Sequence, residues 1–151
     1  MKKFKFKLET VLKVRTRLED LRKRELRQAE LRLEEALRQL KRRQAEIAET
    51  TAMYQENLQK QRLDLNLATY YHNYLNKLNQ LLVEDYARID RCNEDLAKAR
   101  QNLIEATKEK KIVEKLKEKA YEEYKSAELK QETEFLDELG TTRFIHQETT
   151  D

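Results

Sequence analysis

The chain has 151 residues, 40% charged and 38% hydrophobic, with no proline, no tryptophan and one glycine. Compact domains need turn residues, which this chain almost lacks, while its abundant Ala, Glu, Lys, Leu, Arg and Gln favour long helices. The net charge of +3 is unevenly spread, with 16 basic and 9 acidic side chains in residues 1–50 against 3 and 9 in residues 122–151.

From the start, Phe4, Phe6 and Leu8 recur at spacing two, which predicts a short extended lead. Val11, Leu12, Val14 and Leu18 follow at helical spacing and open a first helix over about 8–64. Within it Ala29, Leu33, Ala36, Leu40, Arg43, Ile47, Thr50 and Tyr54 advance by alternating steps of four and three. That is a heptad seam, two positions in seven, so each helix buries one narrow face and no globular core forms. A phased seam of this length also argues against disorder. The turn is expected within about 63–69, where Asp64, Asn66 and Thr69 can cap helix ends.

A second helix is expected over about 70–139. Ile89, Cys92, Leu96, Ala99, Leu103, Ala106, Lys110 and Val113 repeat the seam in mirror image. Opposite members, such as Tyr54 with Leu82 and Ile47 with Ile89, have numbers that add to 136. A constant sum is what two antiparallel helices need, folded here near Leu67. The fold class is therefore all-α: two long helices forming an antiparallel intramolecular coiled-coil hairpin, one domain over 1–151, with arms of roughly 85 and 100 Å. Gly140 is expected as a left-handed C-terminal cap, followed by a polar tail over 140–151. The mirror puts Phe4 opposite about Gln131, so Phe135, Leu136 and Leu139 run past the paired region and need a partner. The heptad slips near Leu21 and again near Lys110, dividing the rod into a tip half and a free-end half.

No constellation for catalysis stands out. There is no Gly-rich phosphate loop, no His-Glu-x-x-His and no Cys-x-x-Cys. His72 and His146 have neither each other nor the cysteine at helical spacing, so neither metal nor cofactor is expected. Acidic pairs such as Glu34-Glu35 read as solvated helix faces. The basic run Arg22-Lys23-Arg24 is distributed around its helix and interleaved with acids, against a nucleic-acid interface. No apolar run could span a membrane or serve as a signal peptide, and the single Cys92 sits on the seam as a small hydrophobe, so a cytoplasmic protein is expected. Tyr70, Tyr71 and Tyr74 cluster after the turn with Tyr54 across from them. They either close the tip by packing inward or form an exposed contact patch.

The termini carry a resemblance. Phe4-x-Phe6-x-Leu8-x-x-Val11-Leu12-x-x-Arg15 resembles the opening of the flagellar export proteins called FliJ. Val113-Glu-Lys-Leu116, Tyr124 and Glu134-Phe-Leu-Asp-Glu138 resemble that family's C-terminal stretch, as does the overall plan of one long hairpin. The resemblance implies a non-enzymatic, monomeric rod of the bacterial flagellar type III export apparatus, peripherally associated with the inner-membrane machinery. Its partners would be a hexameric export ATPase, whose ring it enters as a central stalk, an export-gate membrane protein, and export chaperones. Ring contact would fall on Phe4, Phe6, Leu8, Leu12, Arg15, Leu136, Asp137 and Glu138. Gate contact would fall on Tyr54, Leu58, Tyr74 and Leu78. The alternatives are a scaffolding coiled coil that dimerises through its seam, or the equivalent stalk of a virulence secretion system.

Overall fold

The computed structural model describes residues 2–150. Two helices form an antiparallel hairpin, α1 over Glu9–Gln59 and α2 over Leu65–Thr149, and no strand occurs among the described residues. Asp64 sets the start of α2: its carboxylate accepts from the backbone N–H of Asn66 at 3.0 Å and of Leu67 at 3.2 Å, satisfying two donors the helix leaves open. Lys60 N–H closes the end of α1 on the Asn57 carbonyl. The turn therefore occupies residues 60–64, and α2 begins ahead of the expected position near residue 70.

The chain divides into two compact units, one built from residues up to Glu19 with those from Glu105, the other from Asp20–Ile104. The division falls beside the two heptad slips at Leu21 and Lys110. In the Asp20–Ile104 unit, Ala29, Leu96 and Ala99 form the buried core, with Leu26 and Leu33 packed against it. Alanines on the seam let the backbones approach closely, and each layer then buries only a few side chains. Every expected seam position from Ala29 to Tyr54 and from Ile89 to Val113 is buried or half-buried.

The register differs from the expected one. Tyr54 meets Tyr71 rather than Leu82, with ring centroids 6.3 Å apart, and Leu96 clusters with Ala29 rather than opposing Leu40. Each partner on α2 is displaced by about three helical turns toward the turn. In the other unit Phe4 packs on Tyr121 and Tyr124 rather than opposite Gln131. The seam identifies which face is buried, but its periodicity admits several registers, and the position of the turn chooses among them.

Gly140 does not cap α2. The helix runs through it to Thr149, with no positive-φ glycine, so the expected polar tail is helical. Thr141 and Thr142, the two residues after Gly140, donate their hydroxyls to the carbonyls of Asp137 and Glu138, and no proline stops the helix. A Cβ at Gly140 would meet nothing within 4 Å. Gly140→Ala is therefore expected to stabilise this part of α2 by about 0.5–1 kcal/mol, by removing glycine's freedom in the unfolded chain. Slower amide hydrogen exchange around residue 140 is the readout.

Candidate functional site

The first residues of the chain and the second half of α2 belong to one unit. Residues 2–6 are non-helical and form a strap against α2. The spacing of two lets Phe4 and Phe6 turn toward the helix, where both are half-buried, while Lys3, Lys5 and Lys7 remain exposed. The Phe4 ring lies 5.2 Å from Tyr121, edge-on, and 5.5 Å from Tyr124. The Tyr124 hydroxyl donates to the Lys2 carbonyl at 2.6 Å, fixing the strap at its far end. Leu12 shares the next depression with Phe4 and Tyr121. Arg15 is engaged in an ion pair with Glu109, and Lys117 with Glu9 at 2.9 Å. The structure thus brings together Phe4, Phe6, Leu8, Leu12 and Arg15, and gives most of them an internal task.

Leu136, Asp137 and Glu138 are not part of this cluster. From Leu129 onward every described residue is exposed. Phe135, Leu136 and Leu139 retain 61%, 65% and 43% of their surface, and Leu129, Phe144 and Ile145 are as open. Leu129, Leu136 and Gly140 recur at steps of seven and four, placing them on one side of the helix, with Phe135 and Leu139 beside them. An apolar side on an otherwise solvated helix is a surface that lacks a partner within the described chain. It carries six acidic against two basic residues over 126–150. Leu129, Phe144 and Ile145 were not singled out from the sequence, because the expected register and a cap at Gly140 put the first inside the paired region and the others in a tail.

The tip holds the second group. Tyr70 and Tyr74 stack with centroids 6.1 Å apart, as their spacing of four predicts. Tyr54 and Tyr71 meet edge-on across the hairpin. Tyr54, Tyr71 and Tyr74 are half-buried and pack at the tip, while Tyr70 is exposed. The Tyr74 hydroxyl donates to the Glu46 carboxylate, which pushes its pKa up, with desolvation adding to the effect. Leu58 is exposed. Leu78, expected on the gate surface, is instead buried with 2% of its surface accessible, and supports the tip from inside. Asn57 is also buried there, and its side-chain N–H group has no partner.

Two charged pairs interrupt the seam. Asp85 is buried and accepts from Arg43 Nε at 3.0 Å, with Arg88 at 3.5 Å on its other oxygen. Glu19 is buried against Lys110 at 3.3 Å, and this hydrogen bond raises the lysine pKa. The Asp85 hydrogen bond likewise raises that of Arg43. Arg43 and Lys110 stand on the seam, where a charged side chain would ordinarily lay its stem along the apolar face and extend its charge into water. Each has instead a buried carboxylate partner on the other helix.

No described group of His, Cys, Asp and Glu residues could hold a metal ion, and no described helix is long and apolar enough to cross a membrane. A search of curated proteins finds no match. Residues 4–149 match the family described as flagellar FliJ protein. The chain belongs to the FliJ family. The solved structure of a putative YscO homolog from Chlamydia trachomatis is similar over 96% of this FliJ-family chain and 96% of its own, with a TM-score of 0.54 and 22% identity. That likeness shows a shared helical-hairpin fold. The family match, over residues 4–149, covers Phe4 and Phe6 of the strap as well as the unpaired end of α2.

Proposed function

We propose that this FliJ-family chain is a non-enzymatic stalk of a flagellar protein-export apparatus. It binds the hexameric export ATPase at the end where its termini lie and promotes the ring's assembly or turnover. The observation that carries this reading is the unpartnered end of α2. A helix that keeps Leu129, Phe135, Leu136 and Phe144 largely open to water gains from enclosure by another protein. A ring lumen provides such enclosure. Leu136, Asp137 and Glu138 lie on this end and are the contact residues in the proposal. Phe4, Phe6, Leu12 and Arg15 act by holding the end together, and Leu8, 40% exposed, lies at its edge.

The tip is the proposed contact with the export-gate membrane protein, through Tyr54, Leu58 and Tyr74 with exposed Tyr70 added and buried Leu78 removed. Escort of export chaperones and a cytoplasmic, peripheral location at the inner-membrane apparatus complete the proposal.

The experiment compares the full chain with a truncation after Lys130, which removes the unpaired end and keeps the strap and seam. The full chain should co-purify with the ATPase and raise its turnover, and the truncation should do neither. Equal stimulation by both would reject the assignment of the ring contact to this end.

A further inference from the structure

The strap and α2 leave a groove between them, with a volume of about 1330 Å³ and open to solvent. Leu116, Ala120 and Tyr124 line it from α2, Phe4 and Phe6 from the strap, and Leu8 from the turn before α1. Ala120 is small and half-buried, and Leu116 beside it keeps 45% of its surface open, so the lining is apolar without being filled. The charged residues that line it are Lys2, Lys3, Lys5 and Lys7 against the single carboxylate of Glu123. Small-molecule sites are typically closed pockets of about 300–1,000 Å³. A larger, open groove with an apolar lining fits the face of a polypeptide.

The lysines decide which polypeptide. The alternation that turns Phe4 and Phe6 toward α2 leaves Lys3 and Lys5 exposed along the non-helical strap, and Lys7 is exposed in the turn that follows it. Four ammonium groups next to an apolar floor favour a partner whose apolar stripe is flanked by carboxylates. We infer that this groove is a docking site for an acidic amphipathic helix of a partner protein, laid with its apolar face on the floor and its Asp and Glu side chains on the lysines. The site is separate from the end of α2. That end is itself acidic, with six acidic and two basic residues over 126–150, so the two surfaces select partners of opposite charge. The inference does not depend on the ATPase reading, since a truncation that abolishes ring contact leaves the groove in place.

The test uses the full chain and a fluorescein-labelled helical peptide repeating Leu-Glu-Ala-Leu-Leu-Glu-Ala, with a control peptide carrying Lys in place of Glu. The acidic peptide should bind at least about tenfold more tightly than the basic one, and the gap should narrow as salt screens the lysines. Lys3→Ser/Lys5→Ser/Lys7→Ser changes only exposed side chains and should weaken the acidic peptide about tenfold while leaving the near-ultraviolet signal of the tyrosines unchanged. Truncation after Lys130 should not alter peptide binding. Equal affinity for the two peptides, or undiminished binding in the lysine variant, overturns the proposal. So does lysine-dependent retention on phosphatidylglycerol vesicles without peptide binding, which assigns the groove to lipid. Concentration-dependent self-association lost in the lysine variant assigns it to a second copy and also overturns the proposal.

Discussion

Arg43→Ala is expected to lower the unfolding free energy by about 3 kcal/mol, measured by urea denaturation. The loss exceeds what the arginine itself contributes. Asp85 retains 2% side-chain exposure in the seam, and Arg43 is its near partner at 3.0 Å. Removing the guanidinium leaves a buried carboxylate that cannot regain its hydration without opening the hairpin. Arg88 lies 3.5 Å away on the solvent side, half exposed, and recovers part of the loss, which places the expected value at the low end for a broken buried pair. The double variant Arg43→Leu/Asp85→Leu separates the two contributions. It removes both charges, restores an apolar layer, and should be close to wild type or more stable. If the single and double variants were equally destabilised, packing of the arginine stem would be the cause, and the charge argument would be wrong. Exposed pairs such as Arg38 with Glu35 should contribute little by comparison, because water and salt screen them.

The same pair explains what the sequence concealed. The seam positions were legible because steps of four and three persist from Ala29 to Tyr54 and from Ile89 to Val113, and all are buried or half-buried. The partner of each position was not. Sliding one helix past the other can return a seam face to a seam face, so periodicity limits the register without choosing it. The choice rests on the turn, and Asp64, Asn66 and Thr69 are similar capping residues; hydrogen bonding of Asp64 to two backbone N–H groups selects the earliest. Asp85 lies four residues before Ile89, continuing the seam, and a carboxylate there was the available sign that Arg43 has a partner. At the other end, the spacing of Phe4 and Phe6 announced the strap. Gly140 suggested a stop that the helix does not make, because nothing in the backbone there requires a left-handed residue. The length of the unpaired end, with Phe144 and Ile145 on it, follows from both of those differences.

Leu136→Asp/Leu139→Asp should reduce stimulation of the export ATPase by at least about tenfold, with the urea midpoint of the hairpin unchanged. Leu136 is largely and Leu139 nearly half open to water in the free chain, so the substitutions cost little before binding and much after it, when a carboxylate would have to be buried. Phe4→Ala/Phe6→Ala should behave differently. Phe4 packs edge-on against Tyr121 and tilted against Tyr124, and Tyr124 donates to the Lys2 carbonyl, so truncating the rings releases the strap and alters the near-ultraviolet signal of those tyrosines. Full burial of a phenylalanine is worth about 3–5 kcal/mol against alanine, and these half-buried rings should contribute less than half of that each. Stimulation should then fall by a smaller factor than for the α2 variant, because the surface proposed for the ring is still present on a less ordered base. An equal loss from both variants, with no change in the tyrosine signal, would mean that the ring touches Phe4 and Phe6 directly, and that the strap leaves α2 when the stalk is bound.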